Sequence, residues 1–167
     1  PKKLIMSFHG VPKKSLMKGD PYHCECHKTG RLLAEALKLK DHEYQVCFQS
    51  RFGKAEWLKP YFTDVIAQEA EKKDASIHVI CPGFSSDCLE TLEEINMEGK
   101  SLFLEGGGKS FNYIPALNKE DEWIKSMEEI IRPHLAGWID PKWTQKKENS
   151  ASDKTKKMYN KVKATSK

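Results

Sequence analysis

The stretch LIMSFHGVP at residues 4–12 decides the fold. It is an almost continuous apolar run that stops at His, Gly and Pro, which is typical of a buried strand ending in a turn. Similar runs occur at residues 43–49, 76–81 and 111–114. Segments with a 3.6-residue apolar period separate these runs, so strands and helices alternate. The alternation predicts an α/β fold in which a four-stranded parallel sheet is flanked by helices on both faces.

The helices are predicted at residues 24–39, after Pro60, at 86–105 and at 119–136. Three consecutive glycines from residue 106 follow the third of these helices. Because they follow a helix and not a strand, they are interpreted as a C-cap and not as a phosphate-binding loop.

Charge separates the C-terminal end from the rest of the chain. The 167 residues carry a net charge of +4, yet residues 142–167 contain nine lysines and only two acidic residues. Residues 1–141 are therefore slightly acidic and are predicted to form the α/β domain. The Lys-rich segment 142–167 has few apolar residues and is predicted to be a flexible tail. A folded nucleic-acid-binding face is not expected, while a peripheral contact of the tail with a membrane stays open.

Five cysteines, an odd number without a framework spacing, indicate free thiols in a reducing compartment. No apolar run has the length of a secretory signal or of a membrane span. These features predict a cytoplasmic protein. The chain starts at Pro1 with a strand at once, which suggests a piece of a longer protein.

In parallel α/β folds, ligands bind beyond the carboxyl ends of the strands. The candidate site segments are therefore residues 7–10, 49–53, 81–87 and 115–118. Three acidic residues of the third helix, Asp87, Glu90 and Glu94, fall within about 60° of one another and lie where the third strand ends. They are interpreted either as a solvated helix face or as carboxylates that hold a divalent cation or transfer protons.

His9 ends the first strand, where it is either a structural hydrogen-bonding residue or a partner of Glu90. An imidazole and a carboxylate together suit Fe(II) and can also serve as a base. A second metal hypothesis concerns His23 and His27, which share a helix face, but Cys24 and Cys26 diverge from that face. A helix start is the preferred interpretation of this segment.

The motifs LIMSFHGVP (4–12), GDPYHC (19–24), FQSRFGKAEWL (48–58) and CPGFSSDCLETLEEI (81–95) closely resemble protoporphyrin ferrochelatases. The resemblance extends in order from about residue 4 to residue 138 and covers only the second half of that family. It implies a Rossmann-like, chelatase-type fold. Full-length members have two such domains with the porphyrin between them, so a first domain is expected as the missing partner.

The resemblance implies insertion of Fe(II) into protoporphyrin IX with release of two protons, which is a step of haem biosynthesis. His9 resembles the active-site histidine of the family and Glu90 its partner carboxylate, both associated with metal and proton removal. Glu94 and Asp87 resemble the acidic path to the site. The residues expected to contact the substrate are Ser7, Arg51, Trp57 and Phe84.

Fe(II) is a substrate in this interpretation, so no resident cofactor is expected. The C-terminal segment contains no cysteine, and no iron–sulfur cluster is predicted. Cys88 departs from the family pattern, because many members have histidine at this position. The isolated chain is expected to be inactive or weakly active. The alternatives are a half-size homodimeric tetrapyrrole (cobalt) chelatase and a non-catalytic ligand-binding module.

Overall fold

Four parallel strands form one sheet in the order β2-β1-β3-β4. They are β1 (Lys2–His9), β2 (Tyr44–Gln49), β3 (Ser76–Ile80) and β4 (Ser110–Ile114). Every neighbouring pair is parallel, so the predicted α/β architecture is confirmed. The computed structural model describes residues 2–72, 74–135, 137–138 and 144–165.

Helices connect the strands. They are α1 (Lys13–Met17), α2 (Tyr22–Ala36), a 3₁₀ turn (Asp41–Glu43), α3 (Phe62–Ala70), α4 (Leu89–Thr91), a π-helical segment (Leu92–Gly99) and α5 (Lys100–Glu105). The predicted helix over residues 86–105 is therefore wrong at its start and in its hydrogen-bond pattern. It begins at Leu89 because Cys88 is in an extended conformation, and its middle is π-helical.

The core has one layer on each face of the sheet. Ile5 and Met6, consecutive residues of β1, are both fully buried but belong to opposite layers, as expected from the two-residue period of a strand. The layer around Ile5 contains Phe62 of α3 and Phe103 of α5. The layer around Met6 contains Cys26 of α2. Both faces are therefore covered by helices, as predicted.

The chain divides into two compact units, residues 1–120 and 121–167. The second unit contains α6 (Asp121–Ile131), a 3₁₀ turn (Arg132–Leu135) and α7 (Gln145–Thr165). The predicted domain boundary at residue 141 and helix end at residue 136 lie outside the described residues.

In the C-terminal segment, α7 is one continuous helix, and the predicted flexibility of residues 142–167 stays a prediction. Its residues include many good helix formers and neither Gly nor Pro, and Gln145 hydrogen-bonds to Asn149 at i+4. Among the described residues, no helix combines the length and the apolar character needed to cross a membrane.

The π-helical segment packs against α3 through Gly99, and we predict that an added methyl group there is destabilising. A Cβ at position 99 would lie 2.6 Å from Cε1 and 2.8 Å from Cζ of Phe62, and both residues are buried. In an exposed helix, Gly→Ala stabilises by about 1 kcal/mol. Here overpacking should make Gly99→Ala cost about 1–3 kcal/mol, measured by urea unfolding.

The control for this experiment is Ser101→Ala, an exposed position of α5, which should change the free energy of unfolding by less than about 0.5 kcal/mol. An unchanged or raised urea midpoint for Gly99→Ala would contradict the packing of the π-helical segment on Phe62.

Glu69 of α3 joins two lysines at the amino end of the sheet. Its Oε1 accepts hydrogen bonds from Lys3 and Lys72, both at 2.7 Å, and the residue is only 7% exposed. Burial alone would raise the pKa of this carboxyl, but the hydrogen bonds and charges of the two lysines outweigh burial and lower it. The stability that Glu69 contributes is therefore present above the ordinary carboxyl pKa and is lost as the pH falls through the lower folded value.

We predict that Glu69→Gln lowers the free energy of unfolding by about 1–2 kcal/mol at neutral pH. The difference from the unsubstituted chain should shrink as the pH falls below about 4, where the carboxyl of the unfolded chain is protonated, and should be lost once Glu69 is protonated in the folded chain as well. The exposed Lys109–Asp74 pair, with atoms 3.3 Å apart, provides the control Asp74→Asn, which should cost less than about 0.5 kcal/mol. A difference for Glu69→Gln that is constant from pH 7 to pH 3 would contradict this account.

Candidate active site

His9 lies at the carboxyl end of β1, the strand between β2 and β3. Its backbone is fixed from two sides. The hydroxyl of Tyr22 donates a 2.8 Å hydrogen bond to the His9 carbonyl, and the next residue, Gly10, donates its N–H to the Gln49 carbonyl at 2.9 Å. The imidazole itself is partly exposed, so a rigid backbone presents a ring that a ligand can reach.

Two aromatic residues lie beside this strand end. The Phe84 ring meets the His9 ring edge-on, with centroids 6.3 Å apart. A Cβ at Gly10 would lie 3.2 Å from Cε3 of Trp57 and 2.8 Å from the carbonyl oxygen of Gln49, so only glycine permits this approach. Among the described residues, the buried Trp57 Nε1 has no hydrogen-bond partner. Both predicted aromatic contacts therefore lie at the same end of the sheet as His9.

Glu90 is in the first turn of the helical run that follows β3, and it is partly exposed. The pKa of its carboxyl is lowered, first by a hydrogen bond from the Cys88 thiol, then by its own backbone N–H, and further by the charge of His9. Gln49, the register partner of His9, also donates to the Glu90 carbonyl at 2.6 Å, so both residues lie at the same end of the sheet. At neutral pH the site therefore presents a carboxylate beside an imidazole.

Glu94, one helical turn further, holds the end of β2. Its Oε1 accepts the Ser50 backbone N–H at 2.6 Å, and its Oε2 accepts the Ser50 hydroxyl at 2.6 Å. Ser50 has a positive φ of 62°, a conformation that costs free energy outside glycine. The carboxylate therefore stabilises a strained turn at the mouth of the site.

Asp87 joins the turn after β3 to the end of β4. Its oxygens accept hydrogen bonds from the Tyr113 hydroxyl (2.6 Å), the Asn118 amide (2.8 Å), the Thr91 hydroxyl (3.1 Å) and the Ala116 N–H (3.3 Å). Burial would raise the pKa of Asp87, but these hydrogen bonds outweigh burial and lower it. Asp87 therefore connects the turn after β3 to the loop after β4.

Gln49 at the end of β2 is the central residue of the site; the sequence placed it in a candidate segment but assigned it no role. Its Oε1 accepts hydrogen bonds from the Ser7 hydroxyl (2.8 Å) and the Cys81 thiol (3.5 Å). Its Nε2 donates to the Glu90 carbonyl (2.6 Å) and the Glu94 carboxylate (3.3 Å). A polar residue ending an apolar strand is the signal that could have identified it.

The predicted substrate contact of Ser7 is contradicted by the structure. Ser7 is fully buried and its hydroxyl is committed to Gln49. It lies one pleat before the strand end, where side chains enter the core and cannot reach a ligand.

Arg51 is exposed and lies next to two grooves. Its guanidinium is 4.9 Å from the centre of the Tyr61 ring, within the range of a cation–π contact. One groove, of about 350 Å³, is lined by Tyr61 and Glu94 among others. The second, of about 370 Å³, is lined by Phe52 and by the carboxylates of Glu90, Glu93, Glu94 and Glu98. Glu90 and Glu94, two of the three acidic residues predicted on one helix face, thus border this groove, and Asp87 is not among its lining residues.

Among the side chains that the structure describes, no group of three or more His, Cys, Asp or Glu residues could hold a metal ion. His9 and Glu90 are therefore a two-residue arrangement. The segment predicted as an alternative metal site has its two cysteines separated, since Cys26 is buried and Cys24 is exposed. His23 and His27 lie together, with ring centroids 4.5 Å apart.

Comparison with known proteins identifies the relatives of this chain. It is 61% identical over 140 residues to a ferrochelatase of Nitrosomonas europaea, which covers 84% of this chain and 38% of that protein. It is 56% identical over 154 residues to a ferrochelatase of Janthinobacterium sp. (strain Marseille), which covers 90% of this chain and 42% of that protein. The chain thus spans about two-fifths of the length of these relatives.

The fold alone is shared with a more distant structure, a crystal structure described as a cobalamin (vitamin B12) biosynthesis CbiX protein from Marinobacter aquaeolei VT8. The TM-score is 0.52 at 14% identity, over 81% of this chain and 98% of that one. The family model for ferrochelatase matches residues 1–135, which include every site residue described above. The chain therefore belongs to the ferrochelatase family.

Proposed function

We propose that this chain is the catalytic half of a ferrochelatase that inserts Fe(II) into protoporphyrin IX to form protohaem. The observation that carries the proposal is that His9 and Glu90 lie at one strand end, beside Phe84 and Trp57. Gln49 is opposite His9 in the sheet register and binds the Glu90 carbonyl. Membership of the ferrochelatase family supports Fe(II) and protoporphyrin IX as the substrates in this proposal.

Metal insertion exchanges two pyrrole N–H protons for one divalent cation, so the site needs groups that accept protons and attract a cation. Because the pKa of Glu90 is lowered, its carboxylate is charged at neutral pH and attracts a cation. The His9 imidazole supplies ring nitrogens from a strand end whose backbone is fixed. Both groups are partly exposed, so a macrocycle and a metal ion can reach them from the missing half of the cleft.

The porphyrin is a flat apolar ligand, and the aromatic side chains of Phe84 and Trp57 suit its face. Arg51 is exposed and lines the groove of about 370 Å³ that also includes Glu90, and its charge suits a propionate group. Glu98, Glu94 and Glu93 border the groove on the way to Glu90, which suits the approach of a hydrated cation. Glu94 and Asp87 act in this proposal as positioning residues, because their oxygens are taken by Ser50, Tyr113 and Asn118.

Cys88 has a supporting role in the proposal. Its thiol donates to the Glu90 carboxylate, so a hydrogen-bond donor is kept at the position where many family members have histidine. A proton relay through this position is less suited to the thiol, because burial raises its pKa.

The first functional prediction concerns His9 and Glu90 in a complete protein. The test protein is a chimaera in which this chain replaces the matching segment of the Nitrosomonas europaea ferrochelatase. His9→Ala and Glu90→Gln should each lower the rate of Fe(II) insertion at least about a hundredfold, the scale for a positioned base. Porphyrin binding, followed by quenching of its fluorescence, should largely persist.

The matched control is Glu105→Gln at the far end of α5, an exposed residue of the same helical run. It should insert metal at nearly the unsubstituted rate. If Glu90→Gln and Glu105→Gln behaved alike, or if His9→Ala kept full turnover, the proposed site would be wrong.

The second prediction concerns the 167-residue chain alone. It should bind porphyrin weakly and form little or no haem, because only one wall of the cleft is present and the ring is neither enclosed nor held distorted. Steady-state haem formation at the rate of the chimaera would contradict this, and would favour the half-size dimeric alternative if gel filtration also gave a dimer. Absence of porphyrin binding in both proteins would favour a non-catalytic module.

A further inference from the structure

Two histidines of α2 lie together outside the candidate active site. His23 and His27 are four residues apart on the helix, so they share one face. Their ring centroids are 4.5 Å apart, with the planes inclined by 48°. Among the residues that the structure describes, neither imidazole has a hydrogen-bond partner.

The distance between the rings suits two imidazoles on one cation. A metal–nitrogen bond of about 2.0–2.1 Å places each ring centre about 3.2 Å from the metal. Ligands at an angle of about 90–110° then have centroids about 4.5–5.2 Å apart, which includes the observed 4.5 Å. A pair of histidines at i and i+4 is also the helical arrangement that binds zinc in the HExxH motif.

Phe48 limits the movement of both rings. It is 1% exposed, and its ring lies 5.7 Å from that of His23 and 6.1 Å from that of His27. The stacking of His23 on Phe48, with planes 22° apart, reduces the side-chain freedom that would be lost on binding. The pair is therefore partly organised before a ligand arrives.

The charged neighbours of the pair are already compensated. Lys28 is 3.6 Å from Glu25 on the same helix. Glu56, which lines a cavity of about 190 Å³ together with His23 and Trp57, is paired with Lys13 and Lys59, each at 3.1 Å. Neither carboxylate is free to act as a third ligand, so two imidazoles define the site and water fills the other positions.

We propose that His23 and His27 form a two-imidazole site for a divalent first-row transition-metal ion, separate from the pair of His9 and Glu90. Imidazole ligands favour zinc, copper, nickel and iron over calcium and magnesium. With two protein ligands the site is open and its ion exchangeable. The site lies on the element whose Tyr22 hydroxyl holds the carbonyl of His9, so an ion bound there is next to the strand end of the active site. This inference does not rest on the proposed function.

The test is a titration of the 167-residue chain with Ni²⁺, followed by amide NMR and calorimetry. Ni²⁺ does not oxidise the exposed Cys24 thiol, and its paramagnetism broadens nearby amide signals. The signals of α2 around residues 23–27 should broaden first. His23→Asn and His27→Asn should each weaken Ni²⁺ binding at least about tenfold, because the second contact is no longer intramolecular.

Three matched variants test the assignment. His27→Gln with Lys28→His keeps two histidines but places the second about 140° around the helix from His23, where it was about 40° away, and this variant should bind as weakly as His27→Asn. Cys24→Ser should leave binding unchanged, which excludes a thiol site. His9→Ala with Glu90→Gln should also leave it unchanged, which separates this site from the proposed catalytic pair. All variants change exposed or partly exposed residues, and far-ultraviolet circular dichroism should confirm that each one folds.

The proposal is overturned if the chain does not bind Ni²⁺, or if His27→Asn binds as tightly as the unsubstituted chain. It is also overturned if the shifted pair of histidines retains full affinity, since any two histidines would then suffice. Loss of binding in Cys24→Ser or in the His9 and Glu90 double variant would assign the ion to another site.

Discussion

The carboxyl ends of three strands meet around the buried amide of Gln49, and the geometry of the site depends on it. Gln49 is opposite His9 in the register of β1 and β2, and it is 3% exposed. Its oxygen accepts from Ser7 of β1 and from Cys81 after β3, while its nitrogen reaches the Glu90 carbonyl. A buried amide is stable only if its hydrogen bonds are made. Its contacts therefore fix the helix start relative to the strand that carries His9.

The carboxylates near the site divide into two kinds because of this arrangement. Glu94 and Asp87 are saturated with hydrogen bonds from loops and strand ends, so they hold the backbone in place. Glu90 shares the helical run but has one thiol donor and the backbone at the helix start. Similar residue types thus serve different purposes, and the difference lies in how many donors the fold directs at each one.

The sequence predicts the sheet and the helices that cover it better than it predicts the side-chain hydrogen bonds. The apolar run of β1 and the strand–helix alternation suffice for the parallel sheet, because buried strands and amphipathic helices have local patterns. The anchoring role of Asp87 has no such pattern, since Tyr113 and Asn118 are 26 and 31 residues away. For the same reason the strand-end rule included His9, which is partly exposed, together with Ser7, which is fully buried.

The π-helical segment likewise had no local signal. A π-helix closes its hydrogen bonds over five residues where an α-helix uses four, and a run of apolar and acidic residues does not distinguish the two. Here the segment is set by its ends, with Gly99 packed on the Phe62 ring and the Glu90 carbonyl bound by Gln49. Composition also gave no signal for the helix α7. Lysines favour a helix, but they are equally common in disordered chains.

The same segment can absorb a change in chain length. With Gly99 seated against Phe62, deleting one residue between positions 92 and 99 would let the backbone relax to ordinary α-helical hydrogen bonds, which close over four residues instead of five. That relaxation takes up the missing residue, so the turns on either side, with Glu90 before the segment and Glu105 after it, would keep nearly the faces that they present. Homologues that are one residue shorter within this segment should therefore present the same groups to the cleft.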